Sequence, residues 1–173
     1  MTDILPSKPP VLRQVPLIPV RDVVVYPTNE VVLTFARKKS ILAINHSLNH
    51  DKMVALFTQR DSKNDNPELK DLYEIGTLCI VERTLKSDNE LNTLVRGIAR
   101  IKLIRAIGDA PVQLVEIEEI EEENIQTQEM EALARHLTSQ FKSAVNLGKS
   151  VEFTNFMRLM SGVSIGELSD QIA

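Results

Sequence analysis

The hydrophobic period of the chain changes once, across an acidic run near residue 120, and this change constrains the fold more than any other feature. Before the run, valine- and isoleucine-rich segments with alternating apolar residues are separated by turn residues, a pattern that predicts β-strands. After the run, apolar residues recur every three or four positions, which predicts amphipathic helices. The sequence therefore predicts an α+β chain, with a β-rich part followed by a helical part.

The β-rich part is predicted to contain six or seven strands and one inserted helix. Strands are expected in the stretches 15–27, 30–36, 53–59, 77–85, 91–95, 98–107 and 112–120. After Lys39 the apolar residues take helical spacing, which predicts a short helix that ends near His50. Gly97 interrupts the extended pattern, as at a β-bulge or a barrel corner. We therefore expect a small, partly closed β-barrel, or pseudo-barrel, with a polar and exposed loop over 60–71.

The first strand carries three prolines, Pro16, Pro19 and Pro27. Because proline lacks an N–H donor, Pro16 and Pro19 favour an edge strand or the start of a strand. The polar pair Arg21-Asp22 interrupts the apolar residues of this segment. We interpret the pair as structural, with an ion pair or hydrogen bonds of Asp22 fixing the path of the chain.

The helical part is predicted to hold three helices. Thr127 can cap the first helix and Gly148 can end it. Its apolar stripe consists of Met130, Leu133, Leu137, Phe141 and Val145. The second helix would end at Gly162, and residues 164–167 have the Ser-x-x-Glu form of a capping box that starts a third. That helix reaches only about two turns before the last residue, a length that is marginal alone, so we interpret the chain as a fragment.

These patterns predict a flexible lead-in over residues 1–14, a β-rich subdomain over 15–123, and a truncated helical subdomain over 124–173. The acidic residues between 116 and 123 are interpreted as a solvated strand edge and linker.

Composition and charge exclude several classes of function. The chain has 173 residues, 4% aromatic residues and a net charge of −4, which disfavours nucleic acid as a main partner because phosphate binding needs a basic surface. No apolar run approaches the ~20 residues that span a bilayer, so no membrane association is expected. The single cysteine, Cys79, cannot form an internal disulfide, which is typical of a reducing compartment. We expect a cytoplasmic location.

No catalytic, cofactor or metal site is predicted. His46 and His50 have a spacing that can hold a metal, but Ser47 stands where a metalloprotease needs glutamate, and no third ligand is evident. The sequence contains no Gly-x-x-x-x-Gly-Lys phosphate loop and no Gly-x-Ser-x-Gly nucleophile elbow. Cys79 lies within an apolar strand and is interpreted as inert core. We therefore expect no enzymatic activity from this chain.

Four segments carry a resemblance to one known family. They read PLIPVRDVVVYP at 16–27, RKKS at 37–40, DLYEIGT at 71–77 and LVRGIAR at 94–100. In their order and spacing they resemble the amino-terminal, substrate-recognition domain of the ATP-dependent Lon proteases. The chain departs from the family pattern at four positions: Val32 replaces a proline, Ala36 a glycine, Lys38 an acidic residue and Arg96 a glutamate.

The resemblance implies a non-catalytic domain for substrate recognition and assembly in a Lon-like, ATP-dependent serine endopeptidase. The implied partners are unfolded or damaged protein substrates, the ATPase and protease domains of the same full-length chain, and further copies in a homo-oligomer. No cofactor is expected. Two alternatives stay open: a stand-alone adaptor or regulatory protein built on the same domain, and an RNA-binding barrel. Low aromatic content and negative charge count against the RNA-binding barrel.

Two groups of residues are candidate contacts to substrate or partner. Arg37, Lys38 and Lys39 form a compact basic cluster at the start of the first predicted helix, where the helix dipole disfavours cations. The cluster is interpreted either as a solvated turn or as a contact to an acidic partner or a neighbouring subunit. The second group consists of apolar side chains in the helical part, which either pack between helices or form an adaptable surface for unfolded chains: Phe153, Phe156, Met157 and Met160.

Overall fold

A computed structural model of the protein describes residues 12–108, 111–121, 127–148 and 153–172, without the side chains of residues 153–155 and 160. The chain divides between Ile120 and Glu121 into two compact units. The first unit carries all the described strands and one α-helix, and the second carries three helices. Each unit is described by itself below.

The first unit is built on one mixed sheet. Its elements are β1 (Leu12–Val20), β2 (Glu30–Phe35), α1 (Lys38–Leu48), β3 (Met53–Thr58), a 3₁₀ turn (Leu69–Asp71), β4 (Ile75–Ser87), β5 (Glu90–Gly108) and β6 (Leu114–Glu119). The strand order is β2-β5-β4-β3-β1-β6, and β6 also pairs with β5. Five strands therefore close a ring, and β2 is attached outside it. The predicted α+β pseudo-barrel with one inserted helix is confirmed, as a ring-like sheet rather than a regular barrel.

The long strand β5 closes the ring. Its first half pairs with β2 and β4, and its second half pairs with β6. The sequence predicted two strands here, but the structure has one strand whose register with β4 skips Ile98, directly after Gly97. The predicted bulge is thus confirmed. Glycine is required at this point because a Cβ on Gly97 would overlap the carbonyl group of Tyr26.

The first strand lies within the sheet rather than at its edge, so the edge position expected from its prolines is wrong. The half of β1 that contains Pro16 pairs antiparallel with β6, and the half that contains Pro19 pairs parallel with β3. Each half of β1 therefore has one paired neighbour. Proline is tolerated on such a half-paired strand because only one side of the backbone supplies hydrogen bonds to the ladder.

Apolar side chains pack on both faces of the sheet. Val54 and Leu56 of β3 belong to a buried cluster that includes Ile44 of α1. Ala55 and Phe57 belong to a second buried cluster, with residues of β4, β5 and β6. This alternation follows from the period of two in an extended strand. The strand β3 is therefore buried on both faces, which explains its unbroken apolar sequence.

The second unit contains α2 (Gln128–Asn146), α3 (Phe153–Ser161) and α4 (Ile165–Ile172). The expected cap of α2 is confirmed, because Thr127 Oγ1 accepts a hydrogen bond from the Met130 N–H at 3.2 Å. Gly148 and Gly162 follow α2 and α3 with φ angles of 94° and 91°, a left-handed conformation that glycine adopts without strain.

The capping box expected before α4 is half formed. The Glu167 N–H donates to Ser164 Oγ at 3.2 Å. The Glu167 carboxylate instead forms an ion pair with Arg158 Nε at 2.7 Å. The glutamate therefore connects α4 to α3 rather than completing the box.

The apolar stripe of α2 is more exposed than a core stripe. No described residue of α2 is buried, and Met130, Leu133 and Leu137 are exposed. Towards the end of the helix, the ring of Phe141 stacks on that of Phe156 in α3, with a centroid distance of 6.4 Å. Within the described residues, no helix is long and apolar enough to cross a membrane.

Candidate functional site

The two lysines of the predicted basic cluster lie in the first turn of α1, on a groove of about 900 Å³. Both side chains are exposed. The rest of the groove is lined by loop residues 65–70, by β1 and by the β5–β6 connection. The first turn of α1 contains no acidic residue, and Arg37 at its N-cap position makes no side-chain capping bond. Lys38 and Lys39 therefore add positive charge to a helix end that is already positive.

Arg37 differs from the two lysines because its guanidinium is partly buried and bonded within the fold. Nη1 donates to Gln59 Oε1 at 2.6 Å, and Nη2 donates to the Asn64 carbonyl oxygen at 3.0 Å. Burial and the neighbouring Arg21 lower the pKa of Arg37, and Asp65 opposes this. Guanidinium groups remain protonated in proteins. The predicted cluster thus divides into one structural cation and two exposed ones.

The expected structural role of the Arg21-Asp22 pair belongs to Arg21. Arg21 Nη2 lies 2.5 Å from Asp65 Oδ1, across 44 residues of chain. Asp22 is exposed and has a φ angle of 51°. It has no hydrogen bond or ion pair to the residues that the structure describes. The hydrogen bonds expected from Asp22 are therefore wrong, and the segment turns at this residue through its left-handed backbone.

The loop over 60–71, expected to be polar and exposed, is fixed by internal hydrogen bonds. The Gln59 side-chain amide donates to the Asn64 carbonyl oxygen at 2.9 Å. Asn64 in turn donates to Asp71 Oδ2 at 3.1 Å, and the same oxygen accepts from the Glu68 N–H at 2.9 Å. Many side chains of the loop are exposed, but its backbone path is set by these bonds.

A second depression, of about 210 Å³, is lined mostly by apolar side chains and is called the apolar pocket below. It is lined by Val20, Val24, Val25, Leu56, Thr58, Tyr73, Ile75, Gly76 and Thr77. Val24, Tyr73 and Ile75 are 54%, 48% and 47% exposed. Three large apolar side chains thus remain half in water around one depression.

Two threonine hydroxyls hold the valine segment that forms one wall of the apolar pocket. Thr58 Oγ1 donates to the Val23 carbonyl oxygen at 2.7 Å, and Thr77 Oγ1 donates to the Val25 carbonyl oxygen at 2.5 Å. The segment leaves the sheet after Val20, so these side chains satisfy backbone groups that a neighbouring strand would otherwise bond. The wall is therefore pre-organised.

Tyr73 of the apolar pocket is held through both its backbone and its ring. Its backbone N–H donates to the Thr58 carbonyl oxygen at 3.0 Å. The Arg60 guanidinium lies 4.7 Å from the centroid of the Tyr73 ring, a cation–π contact. Sequence reasoning did not identify this pocket. The triple valine at 23–25 was the available signal, but it was assigned to a strand.

The apolar candidates of the second unit are only partly described. Phe156 is half-buried against Phe141, whereas Met157 is 50% exposed. The side chains of Phe153 and Met160 lie outside the described part of the chain. Met157 is therefore the candidate whose side chain is placed where a partner can reach it.

The histidines and the cysteine that the sequence analysis considered, His46, His50 and Cys79, form neither a metal site nor a reactive thiol among the described residues. The rings of His46 and His50 stack at 4.2 Å, and His50 Nδ1 lies 2.7 Å from the His46 carbonyl oxygen. In the described ranges, no three His, Cys, Asp or Glu side chains are grouped to hold a metal ion. Cys79 is fully buried, and burial raises the pKa of its thiol to about 12, so the thiol is protonated at neutral pH.

Comparison with known families identifies residues 14–173 as matching the ATP-dependent protease La (LON) substrate-binding domain. Three similar proteins are named Lon protease. That of Desulforamulus reducens is 35% identical over 163 residues, covering 94% of this chain and 20% of the relative. That of Buchnera aphidicola subsp. Schizaphis graminum is 36% identical over 163 residues, covering 92% and 21%. That of Escherichia coli K12 is 31% identical over 161 residues, covering 92% and 20%. The chain thus spans about a fifth of the length of these relatives.

Two solved structures share the fold. The N-terminal domain of a Mycobacterium avium complex Lon protease superposes with a TM-score of 0.73 at 16% identity, covering 91% of this chain and 80% of the other. A Lon N-terminal domain protein from Xanthomonas campestris gives a TM-score of 0.56 at 14% identity, covering 92% and 96%. The resemblance found in the sequence is confirmed, and the chain belongs to the family of Lon substrate-binding domains.

Proposed function

We propose that this chain captures unfolded or damaged polypeptides for an ATP-dependent protease, and that the apolar pocket holds an apolar side chain of the substrate. The observation that carries this proposal is the half-exposed trio Val24, Tyr73 and Ile75 around a depression with a pre-organised wall. Unfolded chains expose the apolar side chains that such a depression can remove from water. The family description supplies the class of ligand, a protease substrate.

The size of the apolar pocket implies weak binding by a single copy. Burying one large apolar side chain contributes about 1.5–3 kcal/mol, and association costs several kcal/mol in lost freedom. Several copies that bind one substrate together would raise the apparent affinity by ~10²–10⁴. We therefore propose a homo-oligomer in which many weak sites act together.

The proposed catalytic steps lie outside this chain. The relatives are about five times longer than the match and are named Lon protease. This supports a parent protein in which other domains hydrolyse ATP and cleave peptide bonds, while these residues bind and position the substrate. A reducing compartment such as the cytoplasm is the proposed location, supported by the single cysteine and its burial.

The two exposed lysines and the exposed methionine are proposed as auxiliary contacts. Lys38 and Lys39 lie on a groove at a positive helix end, which suits an acidic segment of substrate or of a neighbouring subunit. Met157 offers an adaptable apolar contact in the second unit, and Phe153, Phe156 and Met160 are proposed with it because they are close to it in sequence. Arg37 also lines this groove, and its bonds to Gln59 and Asn64 hold the surface in place.

The proposal is tested by titrating a fluorescently labelled, permanently unfolded protein with the wild-type chain and with two matched variants. Ile75→Ser removes apolar surface from the pocket. Leu85→Ser removes a comparable side chain that is exposed on the same strand, roughly 33 Å away at the rise of an extended strand. We expect Ile75→Ser to weaken binding about tenfold or more, as loss of one buried contact implies, and Leu85→Ser to bind like wild type. Equal binding by all three folded proteins would exclude the apolar pocket as the site.

A further inference from the structure

The strand outside the ring has one open edge. Among the residues that the structure describes, β2 pairs with β5 alone, and no hydrogen bond reaches its other edge. The Gly97 N–H donates to the Asn29 carbonyl oxygen at 2.9 Å, directly before β2. In an antiparallel pair, alternate residues direct their backbone groups to the partner strand. The backbone groups of Glu30, Val32 and Thr34 therefore point away from β5.

The sequence of β2 itself lacks most of the features that usually block strand addition. Natural edge strands are protected by lysines, prolines, bulges or covering segments. β2 has one charged residue, Glu30, and its pairing with β5 shows no bulge. Val32, whose side chain is 65% exposed, occupies a position where the Lon family pattern has proline. Valine retains the N–H that proline lacks, so the edge can donate at its centre.

A groove of about 370 Å³ runs along the open edge and is called the edge groove below. It is lined by residues 32–37, by Pro19, Val20, Arg21 and Val23, and by Ser40 of α1. Consecutive residues of a strand point to opposite faces, so residues 32–35 share a groove only through their backbone edge. Val20 also lines the apolar pocket, so the two depressions meet at the end of β1.

One end of the edge groove is positively charged. Arg21 and Arg37 both line it, and burial, followed by the smaller effect of the nearby Arg21 charge, lowers the pKa of Arg37. Asp65, the partner of Arg21, is an exposed side chain on the loop. The first turn of α1 adds no acidic residue at this end. An acidic residue in the groove would therefore gain from both guanidinium groups.

We propose that β2 accepts an extended segment of unfolded polypeptide as an additional strand, with an acidic residue of that segment at the Arg21–Arg37 end. This inference rests on the proposed function, because the added strand is the substrate. It adds main-chain hydrogen bonds at β2 to the side-chain contact proposed for the apolar pocket. Main-chain pairing is largely independent of sequence, which suits a domain that receives many different unfolded chains.

The direct test is amide hydrogen exchange on the full chain, with a ten-residue peptide of alternating valine and threonine that ends in glutamate. In the free protein, we expect the amides of Glu30, Val32 and Thr34 to exchange fast, while those of Val31 and Leu33 are protected by β5. At saturating peptide, the three fast amides should slow by about tenfold or more, as newly bonded amides do. Unchanged exchange of these three amides with the peptide bound would overturn the proposal.

Two changes separate backbone pairing from side-chain binding. Val32→Pro removes the central N–H at a position where an edge strand tolerates proline, and Val32→Thr keeps that N–H as the matched control. We expect Val32→Pro alone to weaken peptide binding, by about tenfold. A peptide N-methylated at alternate residues should bind the wild-type protein as weakly as the unmethylated peptide binds the Val32→Pro variant. This second measurement decides the question even if Val32→Pro does not fold.

A second peptide tests whether the positive charge at the end of the edge groove contributes to binding. A peptide with glutamine in place of the glutamate should bind about threefold more weakly at low salt, and the difference should fade as salt screens the charges. Equal affinity of the two peptides at low salt would remove the acidic residue from the proposal.

The outcomes distinguish this inference from the proposed function. Binding that survives N-methylation and Val32→Pro but is lost in Ile75→Ser would overturn strand addition and leave the apolar pocket standing. Binding that is lost on N-methylation but survives Ile75→Ser would support strand addition and exclude the apolar pocket as a substrate contact. Protection of Glu30, Val32 and Thr34 in the free protein would show that the chain itself or a second copy fills the edge, and would also overturn strand addition.

Discussion

Arg37 Nη1 donates a 2.6 Å hydrogen bond to Gln59 Oε1, which ties the N-cap of α1 to the residue that follows β3. Gln59 is only 4% exposed, and its amide nitrogen bonds the loop at the Asp61 and Asn64 carbonyl oxygens. One arginine thus links a helix, a strand end and a loop. Arg37, which the sequence placed in a candidate contact cluster, is thus also part of the scaffold beneath that cluster.

Arg37→Ala should therefore lower stability, whereas Lys38→Ala should not. The arginine variant leaves the buried Gln59 oxygen without its donor, which costs about 1–3 kcal/mol. Lys38 is exposed, so its replacement should change the free energy of unfolding by less than about 0.5 kcal/mol. Urea unfolding of both variants checks the difference. Similar losses in the two proteins would contradict the division of the cluster.

Asp22 gives a prediction that separates backbone strain from hydrogen bonding. Its φ angle of 51° is unfavourable for residues with a Cβ by about 1–2 kcal/mol, and aspartate tolerates it better than alanine. We expect Asp22→Gly to match or exceed wild-type stability, and Asp22→Ala to lower it. Thermal unfolding of the two variants is the measurement. If glycine and alanine destabilised equally, a side-chain hydrogen bond of Asp22 would have to be the cause.

Gly97 should be intolerant of any side chain. A Cβ there would overlap the Tyr26 carbonyl group, whereas a Cβ on Gly108 would meet nothing within 4 Å. Gly97→Ala should cost about 1–3 kcal/mol, as overpacking against fixed backbone does, and Gly108→Ala is the matched control. The melting temperatures of the two variants should differ clearly. A stable Gly97→Ala protein would show that the turn before β2 can move.

The sequence predicted the individual strands and their faces better than the strand pairings that close the ring. Alternating valines and leucines fix which residues of a strand share a face, so β2 and its buried Phe35 followed directly from the period of two. The strand β6 pairs with both β1 and β5. Its pairing with β1 joins residues about 100 positions apart in the chain, and no local sequence pattern encodes such a pairing. The single β5 strand was divided in the prediction because a bulge at Gly97 resembles a strand end.

The apolar pocket escaped prediction for a related reason. Val24 is separated from Tyr73 and Ile75 by about 50 residues of sequence, and only the fold brings them to one depression. A single sequence does not show which apolar side chains remain in water. Lys38 and Lys39 were found because charge clusters are local. The bonds of Arg37 within the fold were not predicted, because its partners, Gln59 and Asn64, are distant in sequence.

Cys79 makes stability depend on pH in the alkaline range. Burial raises the pKa of its thiol from about 9 to about 12. Because the folded pKa lies above the unfolded one, this contribution is complete below about pH 9 and is lost as pH rises towards 12, by up to about 1.4 kcal/mol per pH unit. Cys79→Ala should flatten this fall between pH 9 and 10.5, as measured by urea unfolding. The same slope in both proteins would assign the alkaline loss to other groups.

The β-rich unit should fold without the helices. Both buried clusters of the sheet consist of residues before Glu118, and the chain divides after Ile120. The apolar pocket and the edge groove are likewise lined by residues 19–77 alone. A variant that ends at residue 123 should therefore keep its β-sheet circular dichroism and unfold cooperatively. It should also bind the valine–threonine peptide as the full chain does, because both proposed contacts are retained. A shortened chain that lost cooperative unfolding would show that the helices complete the fold of the sheet. A folded one that lost binding would move the substrate contact to the helical unit, where Met157 is the exposed candidate.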